Sequence, residues 1–427
     1  MKSGNSQRAE RAALFSARPG RRVRALGAAV GTLAAVTVGF APSAAAYDAQ
    51  SQEWYLAPMQ AEQMWKVSTG KGVKVAVIDT GVNADTPSLK GQVLTDEVPK
   101  AVAYHATDDY AGHGTSMAEL IAGTGTDGGL QGLAPGAKIV PYRIQLEGLK
   151  SGAEKDKTPK AWEALRAAAD TDAKIISMSF GGMTTAEDRA AVNYAASKGK
   201  LLIAAVGNNA GKGKSGYIDL PAAYPYVIGV SSIDSSGTVS KFSSYGNNVD
   251  LSAPGEGIPG WCDASFRSYC DNRNGTSPAT AITSASAALI WSAHPNWTAN
   301  QVTRSLIDTA SRTWAKDNPS KYAGYGAIRP RKVLANPDYN AGPANADPLS
   351  KENGGKPAAE GSVSPSASAS ASSQAPNSTS GGETSAAGSS TNSSSNSNSL
   401  WIALGAAAAV IVVGGVGVAV LRARRAR

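Results

Sequence analysis

Between residues 73 and 334 short apolar runs alternate with stretches of helical period. Residues 73–78 form an apolar, β-branched run that stops at Asp79, and residues 138–143, 174–180, 201–206 and 226–230 are further runs of strand length. The run at 174–180 ends on Gly181-Gly182, and the run at 201–206 ends on Gly207-Asn208-Asn209. Residues 160–172 place Trp162, Leu165 and Ala169 on one helical face. Residues 185–198 read as a helix, with Thr185 as N-cap and Asp188 three residues on. A third helical stretch covers 278–292. Short strands alternating with helices predict an α/β fold: a mostly parallel sheet with helices on both faces. Ligands of such sheets bind beyond the carboxyl ends of the strands, so Asp79, Gly181 and Asn208 are expected on one rim.

The two ends of the chain have a different pattern. Basic residues up to Arg24, an apolar run over 25–40 and Ala44-Ala45-Ala46 follow the order of an export signal, with cleavage expected after Ala46. A permanent N-terminal anchor is the alternative. Residues 341–399 are rich in Ser, Ala, Gly, Asn and Pro and nearly devoid of large apolar side chains, which predicts a disordered spacer. Residues 400–421 are continuously apolar or small, and at helical rise they would span about 33 Å, enough to cross a bilayer core. Arg422, Arg424, Arg425 and Arg427 follow, and positive charge there places that end in the cytoplasm. The expected layout is a signal at 1–46, an extension at 47–69, a folded domain at 70–340, a linker at 341–399, a single transmembrane helix at 400–421 and a cytoplasmic tail at 422–427. The folded domain would lie outside the cell membrane.

Charge then changes the picture once. The net charge of +8 invites a nucleic-acid reading. Residues 1–46 hold seven Lys or Arg against one Glu, however, and residues 400–427 hold four Arg and no acid. The 30 bases and 32 acids between them leave −2, so the basic character belongs to the ends and no nucleic-acid partner is expected. In an exported chain Cys262 and Cys270, eight residues apart, are expected to form a local disulfide, with two free thiols as the alternative.

Three short motifs carry candidate chemistry: Asp79-Thr80-Gly81 after the first strand, Gly112-His113-Gly114-Thr115, and Asn274-Gly275-Thr276-Ser277. A serine hydroxyl is a poor nucleophile without a base, and the base needs a group to hold its tautomer. Of the three histidines, His105 lies in a polar loop and His294 precedes Pro295 at an expected helix end. His113, flanked by two glycines, is the natural base, Asp79 its orienting acid and Ser277 the nucleophile. Ser277 is expected at a helix N-terminus, where its N–H can meet an oxyanion, with the Asn208 side-chain amide as second donor.

In this order and context the motifs resemble those of the subtilisin-like serine peptidases, over about residues 70–334. The resemblance also rests on Gly132-Leu133-Ala134-Pro135, Ser177-Met178-Ser179-Phe180-Gly181-Gly182, Ala204-Ala205-Val206-Gly207-Asn208 and Ala253-Pro254-Gly255. It implies a polypeptide substrate, Asp79, His113 and Ser277 as a triad, and Asn208 as oxyanion donor. It further implies that Ser179, Phe180 and Gly181 pair with extended substrate. Ala204, Ala205, Val206 and Gly207 would line the pocket for the residue before the scissile bond. No cofactor is expected, and no convincing carboxylate cluster marks a structural calcium site. With its short extension around Trp54–Trp65, spacer and terminal apolar stretch, the layout is similar to the mycosins, membrane-anchored subtilases associated with type VII secretion. An active tethered endopeptidase is the first expectation, a non-catalytic scaffold of a membrane secretion complex the second. A free nutrient-degrading protease is disfavoured by the tether. The chain departs from the family pattern at Pro278, directly after Ser277, and at Ser116 and Glu119. Pro278 is expected at the first helical position, and Glu119 is expected to raise the His113 pKa.

Overall fold

The structure, a computed structural model, describes residues 48–149, 152–210 and 217–353. The expected signal, most of the spacer, the apolar stretch 400–421 and the Arg tail lie outside the described residues. Among the described residues no helix is long and apolar enough to cross a membrane.

Six strands form one sheet: β1 (Lys74–Asp79), β2 (Lys138–Arg143), β3 (Ile175–Met178), β4 (Leu201–Ala205), β5 (Val227–Ile233) and β6 (Leu251–Pro254). They run in the order β2-β1-β3-β4-β5-β6 and every pair is parallel. A two-stranded antiparallel ribbon joins β7 (Gly260–Trp261) to β8 (Tyr269–Cys270), closed by the Cys262–Cys270 disulfide. The helices are α1 (Leu56–Met59), α2 (Ala61–Trp65), α3 (His113–Ala122), α4 (Gly152–Lys157), α5 (Ala161–Ala169), α6 (Ala186–Ser197), α7 (Thr276–Ala293), α8 (Ala299–Thr309) and α9 (Pro330–Leu334).

Strand periodicity divides the core in two. Val75 and Val77 face one layer, with Leu120, Ile121, Ile282 and Leu289 of α3 and α7. Ala76 and Ile78 face the other, with Leu165, Ala168 and Val192 of α5 and α6. This is the alternation that a pleated strand buried on both faces must show. The strands predicted at 73–78, 138–143, 174–180, 201–206 and 226–230 appear within one to three residues of those limits. The predicted cap of α6 is present: the Thr185 hydroxyl accepts the Asp188 N–H, and Asp188 accepts the Thr185 N–H. Strand β6 was not anticipated. It is a four-residue edge strand ending in Pro254, and proline is tolerated at such an edge.

Helix α7 runs through the middle of one layer and is buried from Thr276 to Trp291 except at Ser277. Buried hydroxyls there would be costly unless bonded. Thr280, Thr283, Ser284 and Ser286 each donate to the carbonyl four residues back, at 2.8–2.9 Å. Small side chains let the sheet and neighbouring helices approach, while Ile282, Leu289 and Ile290 are each fully buried, worth roughly 1.5–3 kcal/mol apiece.

The N-terminal extension lies on the domain. The Trp54 and Trp65 indoles donate to the Glu256 and Leu133 carbonyls, at 3.0 and 2.8 Å. Ser68 donates to the Leu289 carbonyl at 2.7 Å. At the other end, residues 341–353, assigned by composition to the spacer, pack against the domain. Arg304 donates to the Ala346 carbonyl at 2.7 Å, Thr298 to the Ala344 carbonyl at 2.9 Å, and Leu349 is buried. Alternating small and polar residues hide this contact from composition, because backbone carbonyls make most of it.

Candidate active site

Asp79 is the last residue of β1 and Ser179 follows β3 at once, while Val206, Gly207 and Asn208 follow β4. Parallel pairing brings these strand ends to one rim. His113 opens α3 and Ser277 is the second residue of α7, so two helix N-termini meet that rim from the same face.

Asp79 is fully buried, and its Oδ1 does all its bonding. That oxygen accepts from His113 Nδ1 at 2.7 Å and from the Thr80 N–H at 2.7 Å. Oδ2 is buried and has no hydrogen-bond partner. With the proton held on Nδ1, Nε2 is left as the basic nitrogen. Burial works against a charged imidazole here. The charge and hydrogen bond of Asp79 outweigh it, Asp109 adds to them, Arg273 opposes them, and the His113 pKa is raised above the ordinary 6.5.

The approach is made possible by glycine. A Cβ on Gly114 would overlap the Gly81 carbonyl and lie 3.0 Å from Asp79 Cβ. Gly112 caps α3 at φ 74, where other residues are strained.

Asp109 is the residue that motif reading missed. Its Oδ1 accepts from the Thr80 hydroxyl (2.7 Å) and the N–H groups of Ala111 (2.9 Å) and Gly112 (2.8 Å). Its Oδ2 accepts from the Thr115 N–H (2.8 Å) and hydroxyl (2.7 Å). A single buried carboxylate therefore shapes the turn before His113. The available signal was an Asp two and three residues ahead of Ala111 and Gly112, the reach at which Asp side chains cap turns.

Ser277 Oγ donates to the Ser179 carbonyl at 3.0 Å and, among the described residues, makes no hydrogen bond to His113. The acid and the imidazole are thus brought together, and the serine lies on the same rim with its hydroxyl turned toward the edge segment. Asn208 is exposed at the rim. Its Oδ1 accepts the Thr276 N–H at 2.9 Å and the Thr276 hydroxyl at 3.1 Å. That fixes the amide, leaving Nδ2 beside Gly275, 3.4 Å from where a Cβ on that glycine would stand.

Two expectations are corrected. Pro278 is the third helical residue, not the first. The first four N–H groups of a helix have no intrahelical acceptor, so Pro278 removes no helix bond and leaves the Ser277 N–H in place. Glu119 does not act on His113. It is buried on the inner side of α3, accepts from Thr86 (2.8 Å) and Tyr269 (2.9 Å), and burial pushes its own pKa up to about 7. Ser116 beside it donates to the Gly112 carbonyl and accepts the Trp261 N–H. Both departures tie α3 to the disulfide-closed ribbon.

Among the expected substrate residues, Ser179, Phe180 and Gly181 continue the chain from β3, the first two buried and Gly181 exposed. Phe180, Gly181 and Gly182 also border a cleft with Leu146, Trp162 and Met183. Ala204 and Val206 carry their side chains into the core beneath the sheet, so only their backbone can border a pocket. Ala205 is buried at the end of β4, and Gly207, at φ 104, faces the Thr276 hydroxyl through its N–H at 3.2 Å. His105 pairs with Asp108, and His294 stacks on Trp297 with ring centroids 3.8 Å apart at the end of α7. Among the described residues no group of three or more His, Cys, Asp or Glu is placed to hold a metal.

The parallel sheet with an acid, an imidazole and a serine gathered on its carboxyl rim defines the subtilisin-like α/β class. The profile of the subtilase family matches residues 70–326, and the chain belongs to that family. Thermitase of Thermoactinomyces vulgaris is 34% identical over 284 residues, which are 62% of this chain and 92% of thermitase. Subtilisin E of Bacillus subtilis (strain 168) is 34% identical over 250 residues, covering 57% of this chain, and the chain spans 61% of that relative's length. Among solved structures, MycP1 from Mycobacterium smegmatis superposes with a TM-score of 0.57 at 25% identity, covering 71% of this chain and 89% of MycP1. The MycP3 protease from the type VII (ESX-3) secretion system gives 0.56 at 28% identity, covering 68% and 90%.

Proposed function

We propose that this chain is a serine endopeptidase, anchored by residues 400–421 with its domain outside the membrane, that processes exported polypeptides in a type VII secretion setting. The observation that carries the peptidase reading is the 2.7 Å bond from His113 Nδ1 to a fully buried Asp79, on the rim that also holds Ser277. The likeness to MycP1 and MycP3 supports the secretion setting, and the apolar stretch with its Arg tail supports the anchor.

In this reading, substrate lies along 179–181 as an added strand, and its N–H takes the Ser179 carbonyl that now holds the Ser277 hydroxyl. The released hydroxyl turns to His113 Nε2. Oγ attacks the scissile carbonyl as Nε2 takes its proton. The oxyanion meets the Ser277 N–H and Asn208 Nδ2. Nε2 then protonates the departing amine, leaving an acyl-serine, and water activated by the same nitrogen hydrolyses it.

Fluorophosphonate labelling of the full chain tests this. Label is expected on Ser277 and is expected to vanish in Ser277→Ala and His113→Ala. A folded parent that takes no label would replace the peptidase with the scaffold reading. Asn208→Ala is expected to lower kcat about 10²- to 10³-fold with little change in KM, because its amide meets charge that exists only in the transition state. Steady-state kinetics on one peptide check this.

The pH profile follows from His113. The base works only when neutral, so kcat/KM is lost as pH falls through its raised pKa. The acid limb is expected above 6.5, with a plateau on the alkaline side. A limb at or below 6.5 would show that Asp79 does not outweigh burial.

A further inference from the structure

The ribbon closed by Cys262 and Cys270 takes no part in bond breaking, yet it meets the turn that carries the base. Gly112, at φ 74, is the last residue before His113, and both its polar groups are held. Its N–H donates to Asp109 at 2.8 Å, and its carbonyl accepts the Ser116 hydroxyl at 2.7 Å. The helical bond to the same carbonyl, from the Ser116 N–H, is long at 3.3 Å, so the hydroxyl is the firmer tie. Ser116 Oγ also accepts the Trp261 N–H at 2.9 Å, which fastens that carbonyl to the ribbon. Two glycines allow the contact. A Cβ on Gly112 would stand 2.7 Å from the Asp263 carbonyl oxygen, and one on Gly260 would stand 3.1 Å from Ser116 Oγ. Further along α3, Tyr269 donates to Glu119 at 2.9 Å. Positions 112, 116 and 119 share one helical face, so the ribbon grips α3 along a stripe that starts one residue before the base.

We propose that this ribbon positions the His113 imidazole through Ser116, and that the base is aligned only while the Cys262–Cys270 bond is closed. The inference rests on the peptidase reading above and adds a positioning residue to it. Strands β7 and β8 have two residues each, and a hairpin that short is marginal on its own. The disulfide joins Cys262, next to Trp261, to Cys270, next to Tyr269. It thus holds together the two residues that reach Ser116 and Glu119. With the bond open the loop regains conformational freedom, and Ser116 loses a fixed partner. The Gly112 carbonyl is then free to turn, at the residue type that resists rotation least. The Gly112–His113 peptide plane carries the ring with it, and a displacement of about 1 Å can cost about 10²-fold in rate.

The test measures kcat and KM of the full chain on one peptide. Rates are taken per serine that a fluorophosphonate labels to completion, so unfolded molecules are not counted. Ser116→Ala is expected to lower kcat about 10- to 100-fold and to leave KM within about threefold, because substrate pairs with 179–181 and not with the ribbon. Cys262→Ser/Cys270→Ser is expected to do the same. Both changes break one connection, so all three substitutions together are expected to lower kcat no more than about twofold below the less active of the two. The parent supplies a reversible arm. Dithiothreitol opens the disulfide to two thiols and becomes a cyclic disulfide itself, and the chain has no other cysteine. The parent kcat is expected to fall as two thiols appear and to return on reoxidation, while the cysteine-free variant is indifferent to the reagent. If a variant fails to fold, this arm carries the comparison. Unchanged kcat in the parent after two thiols are counted overturns the proposal, as do losses that multiply in the triple variant or a rise in KM at constant kcat. The peptidase reading then stands. Absent labelling of Ser277 in the folded parent overturns the peptidase reading and this proposal with it.

Discussion

Asp79→Asn is expected to lower kcat about 10⁴-fold while leaving the domain folded. The size follows from what Oδ1 does. It accepts both the His113 Nδ1 proton and the Thr80 N–H, at 2.7 Å each, inside a fully buried site. An asparagine can satisfy the Thr80 N–H only by placing its carbonyl at Oδ1, which buries its NH2 at Oδ2, where no partner exists. The flipped amide points a donor at His113 Nδ1 and moves the ring proton to Nε2, where the base must be empty. Either rotamer removes the charge that stabilises the imidazolium. A second readout separates this role from simple damage. Burial pulls the His113 pKa down and Asp79 holds it up, so Asp79→Asn should shift the acid limb of kcat/KM toward lower pH. A fall of less than about tenfold with an unmoved limb would show that another group orients the imidazole.

What could be read from the sequence follows the physics of each element. Strands buried on both faces are continuous apolar runs, so β1 to β5 stand out. The triad candidates could be read because each sits in its own turn beside an obligatory glycine, and Gly112 and Gly114 have visible steric reasons. Elements whose partners are backbone atoms could not be read. Strand β6 is four residues at an edge, and residues 341–353 are held by carbonyls that carry no side-chain signature. Glu119 shows the opposite failure. Sequence distance placed it one to two turns from His113, but a helix turns successive positions to different faces, and Glu119 points to Thr86 and Tyr269. Alternation along β4 sends the Ala204 and Val206 side chains into the core, a placement that the motif alone does not show.

Asp109 carries the other large expected effect, on stability as well as rate. It accepts from Thr80, Ala111, Gly112 and both polar groups of Thr115, all within 2.7–2.9 Å, and is 6% exposed. Asp109→Ala leaves these donors facing an apolar methyl, and the loss is expected to be about 3–5 kcal/mol, read as a lower denaturation midpoint of the full chain. Asp109→Asn is the finer probe, since it keeps volume and some acceptors. The Thr80 hydroxyl has one proton and lies 2.7 Å from Asp109 but 3.2 Å from Asp79. Weakening the Asp109 acceptor frees that proton for Asp79, which draws charge away from the His113 bond. Loss of the Asp109 charge lowers the His113 pKa directly as well. Both effects have one sign: the acid limb of Asp109→Asn should move toward lower pH, and kcat should fall with the displaced imidazole while KM stays near its parent value. A variant that is less stable but has an unmoved pH limb would confine Asp109 to building the turn. A shifted limb would make it a positioning residue for the base, acting through Thr80 on a carboxylate it does not touch.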